Sequence, residues 1–232
     1  MTRVSVVTRS KNESNELEIL AKILKKQSIA PIELILVDNN SEDKSVEVAK
    51  KHGFRVFGTD TYFPGNALNI GIAESTGDFV IIVSSHCIPT SCDWIKNLIQ
   101  PLLLDESIAG VYGRQLPTKD SKPNDRRDLY TIFGTESKLQ NSEIFFHNAN
   151  SVIRKSVWTK IPFSNSATNI EDRIWAKEVL ANGYRIFYSA EAPVFHSHGV
   201  NHNGDESRAL RLVNVFQEHN LYEHEQSEDW YK

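Results

Sequence analysis

Residues Glu33–Asp43, ELILVDNNSED, decide the fold. An apolar run over Glu33–Val37 stops at Asp38-Asn39-Asn40, and Ser41 or Asp43 stands ready to open a helix that ends at Gly53. The run is continuous rather than alternating, the pattern of a strand covered on both faces. The same unit recurs on either side. Upstream, Val4–Thr8 is a β-branched run, and Ser14–Lys26 carries Leu17, Leu20, Ala21, Ile23 and Leu24 at helical spacing, with Ser14 or Asn15 as the cap. Downstream, Arg55–Gly58 reads as a third strand, Asn66–Ser75 as a helix ending at Gly77, and Asp78–Val83 as a fourth strand. Strands alternating with amphipathic helices predict an α/β fold, a mostly parallel central sheet flanked by helices. In such sheets ligands sit beyond the C-terminal ends of the strands. The polar clusters Arg9-Ser10-Lys11-Asn12, Asp38-Asn39-Asn40 and Ser84-Ser85-His86 therefore share one surface.

The second half is less regular. Ser91–Leu104 predicts a helix with Trp94, Leu98 and Leu102 inward, and Ala109–Tyr112 and Ser151–Ile153 predict strands. Thr118–Asp128, TKDSKPNDRRD, is polar and contains proline, which predicts a mobile loop. Ile170–Asn182 reads as a helix stopped by Gly183, Arg185–Tyr188 and Pro193–Phe195 as short strands, and Glu206–Leu221 as a terminal helix. The 232 residues suit one large domain, and 40% apolar with 24% charged residues is ordinary for a soluble chain. A net charge of -4 leaves no broad basic field, which argues against nucleic acid as a partner. Cys87 and Cys92 lie too close together to staple much, so a reducing, cytoplasmic setting is expected. The N-terminus reads directly into a strand, with no apolar stretch of signal-peptide length. No segment approaches the roughly 20 apolar residues of a spanning helix. A membrane-borne substrate would thus be met from the side, at the inner face.

Six segments, in order, resemble the family-two inverting glycosyltransferases with the GT-A fold. They are VSVVTRSKNE, LILVDNNSED, ALNIGIAESTGDFVIIV, SSHCIPTSCDW, HNANSVIRKSVW and IEDRIWAKEVLANGYRIFYSAEAPVFHSHG, and they run from residue 4 to residue 199. The last two look most like the rhamnosyltransferase-type members.

The resemblance implies a nucleotide pocket. The Asp38 carboxylate would accept hydrogen bonds from base or ribose, with Thr8, Arg9, Ser10 and Lys11 beside it and cations near a diphosphate. Read on its own residues, Asp-Asn-Asn-Ser is also ideal turn chemistry. Asn69 belongs to the same pocket, but Leu68 precedes it where the family often has arginine. The family's Asp-x-Asp, which binds a divalent metal on the diphosphate, is replaced by Ser84, Ser85 and His86. Ser84 would still hydrogen-bond a ribose hydroxyl, and Ser85 is expected beside it in the nucleotide pocket. His86, with His196 and His198, makes a histidine-rich set, and the last two share a strand face by their H-x-H spacing. Imidazole suits manganese better than magnesium. Either a nitrogen-tolerant divalent metal binds there, or a histidinium touches the diphosphate directly.

Inverting transfer needs a general base for the acceptor hydroxyl. The resemblance assigns that role to Asp172, with Glu171 as orienter or acceptor contact; the plainer reading is two acids favouring a helix N-terminus. Arg114, Gln115, Asn148, Asn150 and Trp175 lie where relatives contact donor sugar or acceptor, although Trp175 suits the core better than a sugar-stacking platform. The expectation is one GT-A domain over residues 1–232. Residues 1–90 would bind the nucleotide, 91–204 would bind acceptor and hold the base, and 205–232 would form a helical tail. The partners implied are a nucleotide-sugar donor and a glycan or lipid-linked saccharide acceptor. Two rivals remain: a non-catalytic binding relative, suggested by the lost Asp-x-Asp, and a sugar nucleotidyltransferase, which would want glycines in Thr8–Glu13.

Overall fold

A computed structural model describes residues 2–59, 62–167, 169–199, 206–219 and 221. The chain opens with three strand–helix units: β1 (Val4–Ser10), α1 (Ser14–Leu24), β2 (Glu33–Asp38), α2 (Ser45–Lys51), β3 (Phe54–Gly58) and α3 (Pro64–Glu74). Then come β4 (Phe79–Ser84), the short β5 (Ile88–Pro89), α4 (Trp94–Leu104), β6 (Ile108–Pro117), α5 (Pro123–Ile132) and β7 (Lys138–Gln140). The chain continues through β8 (Asn150–Arg154), α6 (Lys155–Trp158), α7 (Glu171–Ala181), β9 (Arg185–His196) and α8 (Glu206–Glu218).

Among the described residues the strands form one sheet in the order β3-β2-β1-β4-β8-β6-β9-β5, with β7 also pairing β9. β1 lies parallel between β2 and β4, as the strand–helix alternation predicts. β8 enters antiparallel between β4 and β6, and β6 then runs parallel to β9. The C-terminal ends of β1, β2, β4, β6 and β9 therefore share one edge of the molecule.

Successive β1 residues point to opposite faces. Val4 and Val6 join the layer built by Leu17, Leu20, Trp94 and Leu98 of α1 and α4. Val7 joins the other layer, with Leu68 and Ile72 of α3 and Trp175 of α7. Burial on both faces is what makes these strands continuously apolar.

Three expectations change. Neither Ser14 nor Asn15 caps α1 through its side chain. Instead the Ser14 N–H donates to Asp43 Oδ2 at 3.0 Å, so the loop after β2 caps the helix after β1. Asn12 ties the same two loops, its N–H donating to Ser41 Oγ and its Oδ1 accepting from the Glu42 N–H. Second, the segment expected as a mobile loop contains the first turns of α5. Asp125 there is buried, and its Oδ1 accepts from the Gly199 N–H at 2.7 Å. Ser121 Oγ donates to the Ser197 carbonyl at 2.7 Å. The polar composition anchors the segment after β9 rather than dissolving in water. Third, the two short strands expected after residue 185 form one strand, β9, whose pairing with β6 shifts register between Gly113 and Gln115. No helix among the described residues is long and apolar enough to cross a membrane.

Candidate active site

A cleft of about 310 Å³ opens at the C-terminal edge of the sheet. The end of β1 contributes Arg9 and Ser10, with Lys11 just past it; the end of β4 contributes Ser84 and the turn after it His86. His147 and Asn148 come from the segment entering β8, Glu171 and Asp172 from the first turn of α7, and His196 and His198 from the end of β9.

The two acids at the head of α7 face different environments. Glu171 is ion-paired with Arg9, Nη1 to Oε1 at 3.1 Å. Burial works against the Arg9 charge, but the Glu171 and Asp172 carboxylates outweigh it and hold the guanidinium above its ordinary range. Asp172 takes the Asn148 N–H on Oδ2 at 3.2 Å and the Arg173 N–H on Oδ1 at 2.8 Å. Burial, and then the neighbouring Glu171 charge, push its carboxyl up to about 7. Adjacent carboxyls with environments that differ in this way suit acid–base work near neutral pH.

Three histidine rings converge on the opposite wall. His86 stacks on His196 with centroids 5.1 Å apart, and His198 lies 5.0 Å from His86 and 4.2 Å from His196. His86 Nδ1 meets Glu13 Oε1 at 2.7 Å, and His196 Nδ1 meets Gln115 Oε1 at 2.7 Å. Burial raises the Glu13 carboxyl, but the His86 hydrogen bond and charge more than reverse that and leave it below the usual range. Potential ligand atoms of His86, Cys87 and His196 all lie within 4.8 Å of one another. Cys87 and Cys92 are both free. Burial pushes the Cys87 thiol up, so it stays protonated and fits a metal poorly. The imidazoles fit better: a ring whose other nitrogen is held by a carboxylate or amide is the usual ligand arrangement.

Asp38 combines both readings of its motif. Oδ2 accepts the Ser41 N–H at 2.9 Å and closes the turn. Oδ1 is buried without a hydrogen-bond partner, as is Ser10 Oγ at the end of the neighbouring strand. Two unsatisfied oxygens at adjacent strand ends call for donors and acceptors from outside the chain.

Other expected contacts lie away from the cleft. Trp175 is fully buried against Phe146 and Phe163, and its Nε1–H donates to the Ile161 carbonyl, so it has no face for a sugar. Asn150 is also fully buried. Its Oδ1 accepts from Trp94 Nε1, and its Nδ2 donates to the Arg114 and Ala192 carbonyls, which stitches α4, β6 and β9 together. Asn69 serves the α3 surface: Oδ1 accepts from Trp158 Nε1 and the Phe163 N–H, and Nδ2 donates to the Phe163 carbonyl. Ser85 is buried and donates to the Arg9 carbonyl and to Glu13. Thr8 and Gln115 are buried too, and Arg114 lies outside the cleft lining. Glu13, which joins Ser85 to His86, escaped the sequence reading. Its one signal was an acid closing VSVVTRSKNE, at the C-terminal end of the first strand.

Residues 5–161 match the model of the family described as Glycosyl transferase family 2. The chain belongs to that family. Among curated relatives, it is 31% identical to the O-antigen chain rhamnosyltransferase RfbN of Salmonella typhimurium, over 75% of this chain and 60% of the relative. It is 27% identical to the O-antigen chain rhamnosyltransferase WbaN of Salmonella anatum, over 75% of this chain and 59% of the relative. The chain thus spans about three fifths of the length of these relatives. Among solved structures, the mannosyltransferase PcManGT of Pyrobaculum calidifontis, in complex with GDP-Man and Mn2+, superposes with a TM-score of 0.70 at 17% identity. That match covers 94% of this chain and 62% of the other. The S. aureus TarS fragment in complex with UDP-GlcNAc superposes at 0.69 with 16% identity, covering 93% of this chain and 67% of the other. These likenesses carry the GT-A fold, as the motif order implied.

Proposed function

We propose that this family-two chain catalyses inverting transfer of a sugar from a nucleotide-sugar donor to a hydroxyl of a glycan or lipid-linked saccharide in polysaccharide assembly. The observation that carries this reading is Asp172, a buried carboxyl pushed up to about 7 on the wall of a cleft that also offers Arg9 and Lys11. Residues 1–90 form the nucleotide half, with Asp38, Ser10 and Ser84 reaching for base and ribose. Residues 91–204 supply the acceptor side and the base, and α8 of the tail packs beside Ile170 and Ile174, while residues 205, 220 and 222–232 lie outside the described residues. The rhamnosyltransferase relatives make a deoxyhexose the first donor sugar to test. A lipid-linked acceptor would be met at the inner face of the membrane.

The reaction is one in-line displacement. The acceptor oxygen attacks the anomeric carbon as its proton passes to Asp172. The bond from that carbon to the diphosphate oxygen breaks, and its electron pair leaves with the nucleoside diphosphate. Arg9 holds Glu171, and the Asn148 N–H aims the Asp172 carboxylate. His86, His196 and His198 would hold a divalent ion, manganese better suited than magnesium, whose charge would offset that of the diphosphate. The intact acid pair argues against a non-catalytic binding relative.

The test is turnover with UDP-, dTDP-, GDP- and CMP-sugars and a saccharide acceptor. Asp172→Asn should fold and bind donor but lose about 10²–10⁴ in rate, the usual worth of a general base. Glu171→Gln should lose less. Near wild-type turnover in Asp172→Asn would reduce the pair to a helix cap.

A further inference from the structure

Three strands of the second half line a second cavity, of about 520 Å³, on the face of the sheet that α7 covers. β6, β9 and β7 run side by side there, with Tyr112 opposite Tyr188 and Tyr188 opposite Lys138. Residues two apart share a face, so Gln140 joins this row, while Leu139 and Phe187 turn to the other layer. The end of α5 and Phe145, from the segment before β8, form the remaining walls. The volume falls in the range of about 300–1,000 Å³ usual for ligand sites.

Two polar groups on these walls are left over. Gln140 is fully buried, and its Nε2 donates to the Glu143 carbonyl at 2.9 Å and to the Phe145 carbonyl at 3.1 Å. Carbonyls only accept, so the orientation of the amide is fixed and Oε1 turns away from both. That oxygen is buried with no hydrogen-bond partner. Tyr112 is 4% exposed, and its hydroxyl makes no hydrogen bond among the described residues. Burial first, then Tyr188 and Glu143, hold this phenol above its ordinary range, so it stays protonated and donates. The Tyr188 hydroxyl, by contrast, is committed to the Gly134 carbonyl at 2.7 Å. A buried polar group left unmatched costs stability, so Gln140 Oε1 and the Tyr112 hydroxyl call for partners from outside the chain.

We propose that this cavity is a saccharide subsite, which takes a sugar unit of the acceptor other than the one that reacts. A sugar hydroxyl both donates and accepts, which matches walls that offer one acceptor and one donor. Phe145 and Ile132 supply apolar surface for the C–H faces of the ring. Lys138, the one cation among the described lining residues, is paired with Glu143 at 3.2 Å, which favours a neutral ligand over a phosphate. Phe145 also connects the cavity to the cleft. Its ring packs edge-on against Tyr112 with centroids 5.4 Å apart, and it lies 6.3 Å from His147 of the cleft wall. The saccharide site stands on this geometry alone; its service to the acceptor rests on the function proposed above.

Amide spectra of the nitrogen-15-labelled full chain, without donor or metal, test the site with the methyl glycosides of rhamnose, mannose, glucose and galactose. At least one is expected to shift the Gln140 side-chain amide and the Ile132 and Thr135 backbone signals. No shift at these positions with any of the four, up to the solubility limit, means that water serves the two groups and overturns the inference. Shifts confined to the cleft, at Arg9 or Asn148, overturn it as well. Tyr112→Phe removes an oxygen without a partner in the chain, so the Tm should not fall. The affinity for the sugar that binds should drop roughly 3–10-fold, the worth of one hydrogen bond. Unchanged affinity in this variant, or a lowered Tm that reveals an internal partner, overturns the inference. In turnover, KM for a disaccharide acceptor should rise by the same factor in Tyr112→Phe, while kcat and the KM for the matching monosaccharide stay at wild-type values. An equal disaccharide KM in both proteins overturns the assignment to the acceptor. Shifts at Gln140 in a protein that transfers no sugar would support the saccharide site and overturn only the proposed function.

Discussion

Asp172 and Glu171 are neighbours in the chain, yet their surroundings divide them. Arg9 reaches across from β1 to pair with Glu171, while Asp172 is left with two backbone N–H donors and the repulsion of Glu171. With its carboxyl pushed up to about 7, the base gains competence as pH rises. The kcat/KM for transfer should climb about tenfold per pH unit on the acid side and level off above about 7. A flat profile between pH 5 and 8 would count against Asp172. Stability should move the other way. The folded state keeps this proton above the ordinary carboxylate range, so stability falls as pH rises from about 4 to about 7. Asp172→Asn removes that slope. Its Tm relative to wild type is therefore expected to be higher at pH 8 than at pH 5.

α5 shows at the element scale how a polar stretch becomes part of the site. Asp125 receives the buried Gly199 N–H directly after His198, and Ser121 holds Ser197. Together they fix the segment that carries the H-x-H pair. Asp125→Ala leaves that N–H without its acceptor, at a cost of about 1–3 kcal/mol by denaturant unfolding. Asp125→Asn keeps an acceptor oxygen and should recover most of it. Equal stability of wild type and Asp125→Ala would mean the segment is held by other contacts. Gly113, beside the register shift, has a related role. A Cβ there would lie 2.4 Å from the Ala192 carbonyl oxygen and 2.4 Å from Asn150 Nδ2. β6 approaches β9 this closely only because Gly113 has no side chain.

Over the whole molecule, β1, β2 and β4 end together and put Ser10, Asp38 and Ser84 on one edge. The same edge receives α7 and the end of β9 from the second half. A nucleotide bound along it raises the melting temperature by mass action, since it binds only the folded chain. The cognate nucleotide should raise the wild-type Tm, and Asp38→Ala should lose most of that rise, measured from an unliganded Tm that starts lower because the Ser41 N–H has lost its acceptor. An equal rise in both proteins would remove Asp38 from the nucleotide site.

The alternation of β1 through β4 with their helices is legible in the residues alone, because burial on both faces demands continuous apolar strands and leaves polar residues only at their ends. So is the order of motifs that marks the GT-A fold, and the edge of the sheet that carries Arg9, Asp38 and His86. Which polar residues face the cleft depends on packing. Asn150, Asn69 and Ser85 look like ligands in a string of letters, since an amide or hydroxyl reads the same whether it meets a sugar or a backbone carbonyl. In the fold their hydrogen bonds go to β6, β9, α6 and the end of β1. Trp175 went to the core because Phe146, before β8, and Phe163, after α6, close over it. Glu13, Gln115 and Asp125 acquire their partners across separations of 73, 81 and 74 residues. Contacts of that range leave no local pattern, and packing of the sheet against both helix layers is what brings them together.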